Sequence, residues 1–206
     1  AGGCGASWML PIHWMGPLLS LVFVLLVLWQ HQGIDRYWVA LAYYAAGSIG
    51  LLRGVAVFFG AHAPWWEGAF LWLGSAALLS LGWFFADRPW KVAPVLLLDA
   101  LVPPLAAFDW LSPLSAAGLL YPGWGLVGVV LLLVSIALAD LVPDLPIVLL
   151  LEALVVNGLY SPAPVPAGWR GVNLTVGPAV PNILANQARH AAIFRQTLEK
   201  ARGAKI

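Results

Sequence analysis

The chain has 206 residues, of which 62% are hydrophobic and only 9% charged, and its mean hydropathy is +0.88. A soluble globular domain carries about a quarter charged residues, so this composition excludes an ordinary soluble fold for most of the chain and points to lipid. The net charge of +1 carries no signal for nucleic acid, and the single Cys4 excludes an internal disulfide and a cysteine-rich metal site.

In chain order, Ala1-Gly2-Gly3-Cys4-Gly5 shows neither an initiator Met nor a basic leading region, and reads as a trimmed or internal start. The hydrophobic stretch that must precede a lipidated cysteine is missing, so Cys4 reads as an unremarkable thiol. Six apolar segments follow, each long enough to cross or nearly cross a hydrocarbon core of about 30 Å: Leu10–Trp29, Tyr37–Phe59, Ala69–Phe85, Val92–Phe108, Tyr121–Leu138 and Leu145–Tyr160. The 12 Trp residues fit helices that end in a headgroup layer. Pro94 and Pro103-Pro104 predict a kink or early end in the fourth segment. Ala42, Ala46, Gly50 and Gly54 recur every four residues on the second, predicting a small-residue face for close helix packing. Gly123, Gly125 and Gly128 suggest a similar surface on the fifth.

Arg36, Arg88 and Lys91 lie in the first and third connections, whereas the second and fourth contain no Lys or Arg. Basic residues accumulate in cytoplasmic loops, which places Ala1 and the tail from Trp169 outside the cytoplasm.

The tail changes character. Val172, Leu174 and Val176 alternate with Asn173 and Thr175 across Gly171–Gly177, the period of a strand. Asn182 after Pro181 is a good N-cap, and Leu184, Ala188, Ala191, Phe194, Leu198 and Ala201 trace one apolar helix face up to Gly203. Gly203-Ala204-Lys205-Ile206 reads as the entry to a second strand.

Arg53, Asp99 and Glu152 are the ionisable residues that fall well inside predicted spans. Charges there are costly and usually pair or serve function. Counting the helix rise, they lie about 9, 13 and 12 Å below the same end of their segments. They are the candidate substrate-contacting residues; a packing salt bridge between Arg53 and one or both carboxylates is the plainer reading. His13, His31, His62 and His190 show no metal-ligand spacing. No nucleophile–base constellation or phosphate loop is legible, so no catalytic residue, cofactor or metal is assigned.

The strand, the helix from Asn182 and the Gly203-Ala204 entry resemble the opening of the carbon-nitrogen hydrolase (nitrilase) fold. A membrane module feeding that fold is similar to the apolipoprotein N-acyltransferase family, as is Leu111-Ser112-Pro113-Leu114 followed by Tyr121-Pro122-Gly123-Trp124-Gly125. The short spacer and the Ala-Tyr-Tyr-Ala-Ala run at Ala42–Ala46 look closest to the conjugal-transfer TraB branch. The resemblance implies a Glu-Lys-Cys triad that takes an acyl chain from phospholipid and passes it to a lipoprotein N-terminus. None of the three residues can be carried over, because the matching positions fall beyond Ile206 and Cys4 lies on the wrong module. The expected fold is an all-α polytopic bundle of about six transmembrane helices over residues 1–165. It is followed at 169–206 by the first strand–helix unit of a truncated α/β nitrilase-like domain. The expected partner is membrane lipid, with phospholipid donor and lipoprotein acceptor in the parent enzyme; this chain alone is expected to be inactive. The alternatives are a non-enzymatic membrane component of a conjugation apparatus and a small transporter.

Overall fold

A computed structural model of the chain describes residues 1–59, 64–142, 144–164, 166–168, 174 and 182–201. Helices dominate them: α1 Gly2–Ala6, α2 Met15–Leu28, α3 Gly33–Gly47, α4 Leu51–Phe59, α5 Trp65–Ser80, α6 Pro89–Leu101, α7 Ala116–Leu120, α8 Leu126–Ala137, α9 Leu145–Leu159 and α10 Ile183–Lys200. Contacts divide the chain into two compact units, Ala1–Gly50 with Leu71–Ser161, and Leu51–Phe70 with Pro162–Ile206.

Each predicted apolar segment contains a helix, yet the helices are shorter than the segments, for reasons written in Pro, Gly and Ser. The first begins at Met15, because a 3-10 turn at Ser7–Met9 and then Pro11 precede it. The second breaks at Ser48, whose hydroxyl donates back to the Tyr44 carbonyl at 2.6 Å, an alternative to continuing the helix. The fourth ends at Leu101, since Val102 before Pro103 is held extended. The fifth starts at Leu126: Gly123 and Gly125 adopt φ of +83° and +55°, which glycine favours, while Gly123 lies against the Tyr160 ring and Gly128 against Tyr121. Among the described residues only Trp65–Phe85, where α5 runs on into the 3-10 turn Gly82–Phe85, is long and apolar enough to cross a bilayer. The expected bundle of about six spanning helices is corrected accordingly, and the alternation of sides that placed the tail outside the cytoplasm loses its basis.

The expected α/β opening is corrected too. There is no strand among the described residues; Gly171–Gly177 lies outside them except for Leu174, which has no regular structure. A strand needs a neighbour to pair its backbone groups, and none is present among the described residues. The helix of that unit does form. Asn182 caps α10, its side-chain oxygen accepting from the Leu184 amide at 2.9 Å and the Ala185 amide at 3.4 Å.

In the first unit the core is aromatic. Phe23 of α2 stacks on Tyr43 of α3 at 4.0 Å and 7°, and Trp83 meets Phe23 edge-on at 4.8 Å. Tyr44, Leu96, Val27 and Val92 complete it. The small face of α3 is used, but by α1: Gly2 lies against Ala42 and Ala46, and Gly5 against Tyr43 and Gly47. Gly50 falls in the break after α3, outside that helical face.

Arg36 of α3 is only 7% exposed. Its guanidinium donates to the carbonyls of Phe84 at 3.1 and 3.2 Å, Gln30 at 3.0 Å and His31 at 3.3 Å. It clamps the chain leaving α2 to the 3-10 turn Gly82–Phe85, a structural role the sequence did not suggest. In the second unit, Gly68 of α5 lies close to the backbone of Leu52 in α4.

Candidate functional site

Two tryptophan–tyrosine pairs wire the core of the first unit. The Trp8 indole donates to the Tyr43 hydroxyl at 2.8 Å, which donates to the Leu111 carbonyl at 2.8 Å. The Trp83 indole donates to the Tyr44 hydroxyl at 3.2 Å. Beside this second pair lies Asp99 of α6, only 2% exposed, with Tyr44 and Trp83 as hydrogen-bonding neighbours and Asp109 close enough to act on it electrostatically. Asp99 Oδ2 and Asp109 Oδ1 are both buried without a hydrogen-bond partner. An unpaired buried carboxylate is expensive, and none of the groups acting on Asp99 is a cation. The pair can hold or release protons.

Of the three charges singled out in the sequence, Asp99 therefore lies in a polar cluster with Asp109. Glu152 is half-buried on α9, near enough to Tyr121 for its charge to act on the phenol. Arg53 is exposed on α4 and belongs to the second unit. Among the described residues the ion pair is Lys91 with Asp87, at 2.7 Å. Asp109 was overlooked in the sequence because it reads as loop punctuation. The signal available was its setting between Phe108 and Trp110, an unusual place for a solvated carboxylate.

Burial pushes the Asp109 carboxyl up to about 6, against a hydrogen bond from Ser112 that lowers it. The folded state thus holds a proton that the unfolded chain releases near pH 4. This stabilisation is complete below that point and is lost as pH rises through about 6. Melting in detergent should therefore weaken between pH 4 and pH 6–7, and Asp109→Asn, neutral throughout, should flatten that slope. An unchanged slope would show that Asp109 does not titrate in this range.

The exterior is the second feature. Leu25 of α2, Leu126 and Val130 of α8, and Leu151, Leu154 and Leu159 of α9 are all more than half exposed. Six of the eight exposed Trp residues among those described sit at helix ends, Trp14 and Trp29 bracketing α2, Trp65 and Trp66 opening α5, Trp90 opening α6 and Trp124 preceding α8, whereas Trp38 lies within α3 and Trp110 in a loop. Apolar flanks with Trp at the ends are the signature of helices among lipid tails with headgroups at their tips. Between α2, α8 and α9 lies a cavity of about 370 Å³, lined by residues that include Leu21, Leu25, Leu132, Ile136 and Leu150. Ser135, also on its wall, already donates to the Leu131 carbonyl at 2.6 Å, so the cavity suits hydrocarbon and not a polar ligand.

These features define a class: a helical module with an apolar exterior and two interacting carboxyl groups, Asp99 buried and Asp109 half-buried. The chain is similar to the probable conjugal transfer protein TraB of Sinorhizobium fredii, with 30% identity over 210 residues, 93% of this chain and 52% of that protein. It is also similar to the conjugal transfer protein TraB of Agrobacterium fabrum, with 31% identity over 139 residues, 55% of this chain and 31% of that protein. The chain thus spans about half the length, or less, of these curated relatives. No family model matches it, so the carbon-nitrogen hydrolase and N-acyltransferase part of the resemblance is without support. No solved structure gives a significant match.

Proposed function

We propose that this chain is a membrane-embedded helical module of a TraB-type conjugal transfer protein, at the bacterial inner membrane, and that it acts in assembly of the transfer apparatus. The observation that carries the membrane part is the exterior: large aliphatic side chains exposed along α2, α8 and α9, with Trp at the helix ends. Such a surface left in water would drive aggregation. The conjugation part rests on similarity to the two rhizobial proteins, which extends over nearly the whole chain in one case. The acyltransferase reading is not carried forward, because no family model matches the chain.

The expected result in cells is recovery in the membrane fraction after alkaline carbonate washing. Release by carbonate would end the membrane-embedded reading. The conjugation role is tested by replacing the matching segment of the Sinorhizobium fredii protein with this chain. Plasmid transfer should be retained by the chimera and lost when the same segment is deleted; no effect of the deletion would remove the role.

A further inference from the structure

Charge is divided unevenly along the chain. Residues 1–160 contain four basic and eight acidic residues, whereas 161–206 contain Arg170, Arg189, Arg195, Lys200, Arg202 and Lys205 against Glu199. The net charge of +1 is thus the sum of an apolar part at −4 and a tail at +5. The helix of that tail is α10. With Arg189, Arg195, Glu199 and Lys200 along its length, it is too polar to cross a bilayer.

α10 has two unlike faces, and none of its residues is buried. Ala185, Arg189, Ile193 and Thr197, four residues apart, are half-buried and form the face shielded by the protein. On the other side Ile183, Leu184, Ala191, Phe194 and Leu198 fall within about 100° of one another. Leu184 and Phe194 there are 75% and 65% exposed. Arg195 borders this open stripe on one edge and His190 on the other, both exposed. A nucleic acid would engage the cations and leave Phe194 and Leu198 in water. A protein groove would cover the stripe without calling for the excess positive charge. An anionic membrane surface uses both: the stripe sinks about 5–10 Å into the boundary between headgroups and acyl chains, and each cation near the surface adds about 1 kcal/mol.

Resting on the membrane reading above, we propose that α10 lies in the plane of the bilayer on its open face, held by anionic phospholipid. The apolar stripe supplies the burial, and the basic tail selects the negatively charged headgroup.

The full chain, carrying Cys4→Ala and a fluorophore on Ala191→Cys, is reconstituted into vesicles of phosphatidylcholine alone or with about 30% phosphatidylglycerol. Quenching by phospholipid spin-labelled near the headgroup is then measured. It is expected to be roughly three-fold stronger with phosphatidylglycerol, and to weaken in about 0.5 M salt. The same fluorophore on Gln196→Cys, on the far side of the helix, should be quenched in neither vesicle. Arg195→Glu with Lys205→Glu lowers the charge of the tail from +5 to +1, and should bring quenching down to the level in phosphatidylcholine alone. Equal quenching in the two lipids overturns docking on an anionic surface, and so does loss of quenching when duplex DNA is added. In either case a chain that resists carbonate in the same vesicles leaves the membrane reading standing. A chain that fails to float with either vesicle overturns both.

Discussion

Replacing Gly5 with alanine is expected to lift α1 off α3, and Cys4 will report it. A β-carbon at Gly5 would fall on the Tyr43 carbonyl oxygen, 2.9 Å from its carbon and 3.1 Å from the Gly47 amide nitrogen. All three obstacles are backbone, so no side chain can turn aside, and α1 or α3 must move. Overpacking of this kind costs about 1–3 kcal/mol. The displacement would also strain the Trp8–Tyr43–Leu111 relay, which is anchored on the same residue. Cys4 is half-buried in α1, so its reaction with a maleimide in detergent should accelerate in Gly5→Ala. Gly3→Ala is the control. Among the described residues nothing lies within 4 Å of a β-carbon there, and alanine favours a helix by up to about 1 kcal/mol over glycine. Its thiol reactivity should match that of the parent chain. Equal reactivity in all three proteins would mean that α1 is not docked as described.

The largest loss of stability is expected from Arg36→Met. This side chain satisfies three carbonyls that belong to Gln30, His31 and Phe84. Methionine fills comparable apolar volume but donates nothing. Leaving buried acceptors unsatisfied costs about 1–3 kcal/mol each, so a loss on the order of 3 kcal/mol or more is expected in detergent unfolding. Arg36→Lys keeps the charge but has lost the planar fork that reaches Phe84 and Gln30 together, and should recover only part of it. If methionine were tolerated without loss, the carbonyls would have to be hydrated and Arg36 would not be the clamp.

These two positions show where legibility stopped. Arg36 was visible as a basic residue in a connection, and composition assigned it a topological meaning; its four hydrogen bonds join segments 48 residues apart. Gly5 lay in a small-residue leader with no partner in view; Ala42 and Ala46, recognised as a packing surface, receive Gly2 of the same helix, whereas Gly5 meets the backbone of Tyr43 and Gly47. Asp99 was legible because a carboxylate in an apolar run is anomalous on its own. Asp109 was not, because its partial burial is set by the packed fold and not by its sequence neighbours. Asn182 and α10 were legible to the residue because capping and helical periodicity are local.

What the sequence determined by itself was the apolar character of the chain, the position of each apolar segment and the cap of its last helix. These follow from side-chain transfer and from hydrogen bonds within a few residues. Helix length was decided by the whole: local breaks at Ser48, Val102 and Gly125 prevailed over continuous hydropathy, because an apolar run records affinity for lipid and not backbone conformation. The buried carboxyl pair, the Arg36 clamp and the docking of α1 belong to tertiary structure alone. Each depends on groups far apart in sequence being desolvated together, and desolvation is a property of the packed neighbourhood.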